Sequence, residues 1–343
     1  MDDADPIGAD QRATAGVGID DVHRIEFDVD WPPGHVGAYL LDTPEPILID
    51  AGMTGERAGD RLERSITAAG YDLADVAHLV LTHPHVDHVG QAPTVNERAD
   101  PTVYAPIGVR ERLARDPEDL ARQVEANAIA AGLGGTERDR AIGMARDSLE
   151  RSRRLLPPAA VDRWIGEDGN GAVTIGDVAF ETIPAPGHQA DHRCFETTIG
   201  DERVLFAGDT VLAPFRPVLL HVGLNRGVSE SLPAFERTLD RLGARSIDRV
   251  FPGHGPVHAD YRATIDRDRR SLRRLTEGVA SRLDPENGTT AAELARERVE
   301  DGREFAYRLP EVVSALARLE ATDRARRSTT EAGVRRYYPS SAE

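Results

Sequence analysis

The chain has 343 residues, 40% of them hydrophobic, with 59 acidic against 42 basic side chains for a net charge of −17. No apolar run approaches the ~20 residues of a membrane span, and the acidic start Met1-Asp2-Asp3-Ala4-Asp5 is unlike a secretory signal, so no membrane partner is expected. A single cysteine, Cys194, excludes an internal disulfide and fits a reducing cytoplasm, the expected compartment, with the thiol in a structural role.

The basic residues are all arginine, with no lysine. Together with the strong acidity this resembles proteins of salt-accumulating halophiles, where salt screens self-repulsion. Residues 261–343 hold 17 arginines against 15 acids, so residues 1–260 carry a net −19.

Residues 1–19 are small, polar and acidic without periodicity, and are expected to be disordered. Strands are predicted at Val22–Phe27, Gly37–Leu41 and Pro46–Asp50, the last ending on a carboxylate and a glycine turn. A helix is predicted from Thr54 as N-cap to Gly70, burying Ala58, Leu62 and Ile66. The apolar run Ala77–Leu81 reads as a buried strand, and Thr102–Ala105 as a short one. From 107 to about 165 the pattern turns helical and arginine-rich, broken at Gly132-Leu133-Gly134-Gly135. This stretch reads as a helical insertion that is either a lid or wall over the site or a solvated decoration. Strand patterns return at Ala172–Ile175, Val178–Pro184, Cys194–Ile199 and Arg203–Ala207, with hairpin turns at Gly176-Asp177 and Gly200-Asp201. A helix over Ser231–Leu242 and a strand at Asp248–Phe251 follow. Beyond 260 the pattern predicts helices over 263–283, 289–299 and 310–319, then a hairpin over 324–338 turning at Gly333.

The chemistry concentrates after the strand at Ala77–Leu81, in Thr82-His83-Pro84-His85-Val86-Asp87-His88. In extended backbone alternate side chains point the same way, so His83 and His85 can share one cation while Asp87 and His88 are aimed at a neighbouring position. Imidazole and carboxylate donors suit zinc, iron or manganese rather than calcium. Three more candidates follow strand ends: His188 after Pro186-Gly187, Asp209 after Ala207-Gly208, and His254 between Gly253 and Gly255. Strand ends are rigid supports from which distant parts of a chain can assemble one site.

In this order the motifs resemble those of the metallo-β-lactamase-fold hydrolases over roughly residues 20–260, and within them the glyoxalase II-like binuclear branch. The resemblance implies an αββα sandwich of α/β class with two divalent metal ions at one edge, zinc first and iron or manganese next. It places His83, His85 and His188 on the first ion, Asp87, His88 and His254 on the second, and Asp209 between them. Asp50 and His192 match residues that support ligands without being ligands. The antibiotic-hydrolysing relatives carry a cysteine near Asp209, and Cys194 stands too early for that. Two ions ~3.5–4 Å apart would hold a shared hydroxide that attacks an electrophilic carbonyl or phosphorus, with Asp87 both ligand and proton acceptor.

The resulting expectation is a metal-dependent hydrolase acting on a small thioester or ester. Its rivals are a lactonase or other ester hydrolase with the same metals, and a metal-dependent ribonuclease gripping RNA with its C-terminal region. A flavin-linked diiron protein lacks support, as no Gly-x-Gly-x-x-Gly fingerprint occurs. Helix–helix–helix–hairpin over 261–343 is similar to the winged-helix-like tail of one group of these hydrolases. Its +2 charge is weak for phosphate binding, which ranks nucleic acid behind a small acyl substrate and assigns the tail to packing, dimerisation into a homo-oligomer, or shaping the site. His23, His35 and His78 read as surface or packing residues, and His221 and His258 as possible substrate contacts.

Overall fold

The computed structural model describes residues 17–169, 171–297, 299 and 301–340. Its first sheet has six strands in sequential order: β1 (Val22–Asp28), β2 (His35–Leu41), β3 (Ile47–Ile49), β4 (His78–Val80), β5 (Thr102–Pro106) and β6 (Arg163–Ile165). The first three are antiparallel neighbours, and β3 through β6 run parallel. The second sheet, in the order β11-β10-β9-β8-β7, joins β7 (Ala172–Ile175), β8 (Val178–Pro184), β9 (Arg193–Ile199), β10 (Glu202–Gly208) and β11 (Arg249–Pro252). Only β10 and β11 are parallel there.

Period-2 alternation sorts each strand's side chains into two cores. Tyr39, Ile49, Val80, Phe195, Phe206 and Phe251 meet between the sheets, where Phe206 stacks on Phe251 at 5.0 Å between ring centroids. The alternate residues Leu40, Leu48 and Leu79 face outward, against α1 (Glu56–Ala68), α2 (Val86–Val89), α3 (Ala92–Ala99) and α4 (Ile107–Leu113). On the far side Leu205 and Ala207 of β10 face α7 (Ser231–Gly243) and α8 (Tyr261–Ala280). The layers are therefore helix, sheet, sheet, helix.

The insertion holds α5 (Pro117–Ala131), capped by the Asp116 carboxylate accepting the Asp119 N–H at 2.7 Å, and α6 (Gly135–Leu155). It ends in β6 rather than in helix. Tyr104 pairs with Arg163, a pairing that a three-residue strand cannot announce by periodicity.

Helix α1 begins at Glu56 after Gly55, with no side-chain cap, instead of at Thr54. Of the expected disordered tail, residues 1–16 lie outside the described residues. Val17 is buried, and its carbonyl accepts the Gly200 N–H.

The C-terminal region follows the expected order, as α8, α9 (Ala291–Arg296), α10 (Gly302–Ala321) and a hairpin of β12 (Ala325–Thr329) with β13 (Arg335–Pro339). Helix α9 starts at the expected capped Thr-Thr-Ala-Ala-Glu stretch, with Thr290 forming a capping box with Glu293 while the Thr289 backbone pairs with Tyr337. Helix α10 starts eight residues before Pro310, capped by Asp301, and keeps the proline inside because Leu309, Val312 and Leu316 are needed in the core. These residues share one core with Leu232 and Phe235 of α7, so the region packs against the second sheet. Among the described residues no helix is long and apolar enough to cross a membrane.

Candidate metal centre

All nine predicted site residues meet at one edge of the sandwich, delivered by segments that follow β3, β4, β8, β10 and β11. His83 Nε2 and His188 Nε2 stand 3.0 and 2.9 Å from His85 Nδ1. Imidazole nitrogens at ~2.0–2.1 Å from a tetrahedral ion would lie about 3.3 Å apart. Asp209 Oδ2 closes this group at 3.1 Å from His188 Nε2. In the second group Asp87 Oδ2 is 3.3 Å from His254 Nε2, and His88 and His254 reach Asp209 at 3.2 and 3.5 Å. The Asp209 carboxylate thus touches both groups. Six of the seven side chains are buried, and His85 is partly open.

The outward-facing ring nitrogens explain the rotamers. Asp50 Oδ2 accepts from His88 Nδ1 at 2.7 Å and from Thr82 Oγ1 at 2.8 Å, and Thr82 Oγ1 lies 3.0 Å from His83 Nδ1. One carboxylate therefore orients a histidine of each group, which turns their Nε2 lone pairs inward. Asp50 adopts a left-handed backbone, φ 59°, where β3 ends. His188 and His254 donate from Nδ1 to the carbonyls of Val218 (2.8 Å) and His35 (2.6 Å). His192 Nε2 accepts the Asp209 N–H at 3.0 Å and pins that backbone.

The donor set fits a pair of divalent ions. His88 Nε2 and Asp209 Oδ1, 3.2 Å apart, are buried and have no hydrogen-bond partner. Buried polar atoms are rarely left so.

Electrostatics point the same way. Burial, reinforced by neighbouring imidazoles, holds His83 and His85 well below the ordinary imidazole range. Burial opposes a charge on His254 as well, yet Asp209 and Asp87 carry it up to about 10. Without a cation His254 is therefore protonated at pH 7, and a cation must displace that proton, so affinity rises with pH. Titrating zinc into metal-free protein at pH 7 is expected to release protons, read as a binding enthalpy that changes with the buffer. A buffer-independent enthalpy would contradict this.

Two glycines are required by close approach. A Cβ on Gly253 would meet Asp209 Oδ1 at 2.5 Å and His88 Cε1 at 2.6 Å, and one on Gly208, φ 47°, would meet His192 Nε2 at 2.6 Å. Gly253→Ala is expected to lower metal content after dialysis, measured by atomic emission, with secondary structure retained in circular dichroism.

The structure adds contributors that sequence reasoning passed over: Thr82, the Val218 and His35 carbonyls, and Gln189, whose amide touches His85 Nε2 at 2.7 Å. The first and last adjoin a predicted ligand, while the carbonyls carry no side-chain signal. His221 does not enter the donor groups. Its backbone, φ 52°, donates to the His188 carbonyl at 2.7 Å and splints that segment. His258 packs on the Val211 carbonyl. Cys194 is buried, its thiol pushed up to about 12 by burial.

A family model described as metallo-beta-lactamase superfamily matches residues 31–254. A probable metallo-hydrolase, YqjP, of Bacillus subtilis is 25% identical over 81% of this chain and 85% of its own. A hydroxyacylglutathione hydrolase of Nitrobacter hamburgensis is 23% identical over 72% and 74%. Other relatives are longer, and the match spans 55% and 59% of two of them. Among solved structures, a metallo-beta-lactamase family protein from Thermus thermophilus superposes with a TM-score of 0.74. It is 23% identical over 94% of this chain and 99% of that one, a likeness of fold.

Proposed function

The chain belongs to the metallo-beta-lactamase superfamily and is a metal-dependent hydrolase, and from that premise we propose that it cleaves a small thioester or ester, glyoxalase II-like, at a dinuclear centre. The carrying observation is the Asp209 carboxylate in contact with two donor groups, with its Oδ1 and His88 Nε2 buried without a hydrogen-bond partner. His83, His85, His188 and Asp209 would hold one ion, and Asp87, His88, His254 and Asp209 the other. Bound there, two divalent ions, zinc before iron or manganese, would supply Lewis acidity and a water acidic near neutral pH.

The protein's own groups do the rest. Asp87 sits 3.3 Å from His254 with its carboxylate facing the centre, so it takes the proton of the attacking water. Asp50 fixes two imidazoles, and His192 fixes the Asp209 backbone. The thioester preference rests on Asp209 in place of a cysteine and on the relative named as a hydroxyacylglutathione hydrolase. The C-terminal region serves to shape the site: Phe305, Tyr307 and Leu309 of α10 line the cavity that reaches His85.

The test is a metal count on protein kept in high salt, paired with hydrolysis of acyl-thioesters, lactones and single-stranded RNA. Two ions per chain with thioester or ester turnover are expected, abolished in Asp87→Ala and His85→Ala variants that remain folded. RNA cleavage alone, or near-wild-type turnover by Asp87→Ala, would overturn the reading.

A further inference from the structure

A cavity of about 450 Å³ adjoins the metal centre at His85 and Gln189. It runs between the α5–α6 pair, the loop at Leu220–Leu224 and α10. Leu120, Val124 and Leu149 form a small apolar cluster on one wall, and Leu220, Phe305 and Leu309 line the other. Met144, 49% exposed, lines it as well and marks an opening to solvent. An Arg296–Glu137 ion pair, 2.6 Å, ties α9 to α6 across the lining.

Protein interiors keep few voids larger than a water molecule. A cavity of this size with leucine and phenylalanine walls is the usual form of a small-molecule site. Its metal end is different in chemistry. Arg112 donates to the Gln189 side chain and to Ser148, Arg115 stands beside it, and neither pairs with a carboxylate among the described residues. Two guanidinium groups without a direct carboxylate partner among the described residues, Arg115 with Asp191 and Glu111 in its surroundings, thus line the cavity that reaches His85. Mostly apolar walls, with Arg140 and the Arg296–Glu137 pair along the lining and Arg112 and Arg115 towards His85, match an acyl chain whose carbonyl, and then carboxylate, sits at the metals.

Resting on the acyl-hydrolase reading above, we propose that this cavity receives a medium-length apolar acyl group of the substrate, with Arg112 and Arg115 facing the carboxylate product. Water adds to the acyl carbon and the C–S bond breaks; of the water's two protons one leaves with the sulfur as a thiol and the other passes to solvent, so the acyl group leaves as a carboxylate. The insertion is then the wall that selects acyl length.

The experiment uses the full-length, metal-loaded chain and N-acetylcysteamine thioesters from acetyl to dodecanoyl. kcat/KM is expected to rise roughly threefold to fourfold per methylene up to about octanoyl, the value of burying each in an apolar site. Ala145→Trp, which fills the cavity, and Met144→Glu, which places a charge at an exposed lining position and spares the core, should each cut the decanoyl-to-acetyl ratio at least tenfold. A binding arm reads the site without turnover: decanoate should bind more tightly than decanol by calorimetry, and Arg115→Gln should narrow the difference, the metals and Arg112 keeping the remainder. Acetyl turnover with a flat chain-length profile, or filled-cavity variants with unchanged ratios, would overturn the acyl cavity and leave the hydrolase reading standing. Decanoate binding that responds to Ala145→Trp, with no thioester or ester cleaved, would support the cavity and sink the acyl-hydrolase reading instead.

Discussion

Asp209→Ala is expected to leave a folded protein that retains neither ion and has no measurable turnover. The carboxylate lies 3.1 Å from His188, 3.2 Å from His88 and 3.5 Å from His254, so its loss opens both donor groups at once. It also leaves His88 and His254 crowded without the anion that holds both well above, or up to about 10 from, their ordinary range. The loss should exceed the roughly 10–100-fold that removal of an outer partner such as Asp50 costs. Metal content by atomic emission and turnover of an acyl-thioester check it together. An Asp209→Ala protein that keeps two ions would refute the shared-carboxylate assignment.

Glu311→Ala is expected to destabilise the chain by about 3–5 kcal/mol, the cost of removing one partner of a buried ion pair. Glu311, on α10, accepts the Leu219 N–H at 2.8 Å and the Arg216 Nη2 at 3.0 Å, and little of any of these groups reaches solvent. Its loss leaves the Arg216 guanidinium with Ser271 and the Pro217 carbonyl but no carboxylate partner, and frees the loop next to Val218, whose carbonyl orients His188. Stability and metal retention should therefore fall together, although Glu311 lies in the C-terminal region. Glu311→Gln keeps an acceptor for Leu219 and should lose less. Denaturant unfolding of the variants, with metal content measured in parallel, decides it. An unchanged midpoint in Glu311→Ala would show that the tail does not brace the site.

The candidate ligands were legible because each follows a short apolar strand and small residues, an arrangement that survives without knowledge of neighbours. His83 to His88 follow Leu79-Val80, Asp209 follows Phe206-Ala207-Gly208, and His254 follows Phe251-Pro252-Gly253. The strands were readable from β-branched and aromatic runs, and β6 was not, since three residues carry no period. Helix α10 was mislaid at its start because Pro310 reads as a first-turn residue, while burial of Leu309 and Val312 carries the helix through it.

By itself the sequence determined the kinds of donor present and their pairing with strand ends, because donor chemistry and strand periodicity are local properties, and the order of those motifs carried the resemblance that implied a metal-dependent hydrolase. Only the tertiary structure decided that Asp50 and Thr82 orient histidines of both groups, that Val218 and His35 lend carbonyls, and that Glu311 braces the loop beside the site. It alone also joined α5, α6, the 220–224 loop and α10 into one apolar cavity against His85. Those features depend on backbone groups and on residues far apart in the chain, which leave no mark in local pattern.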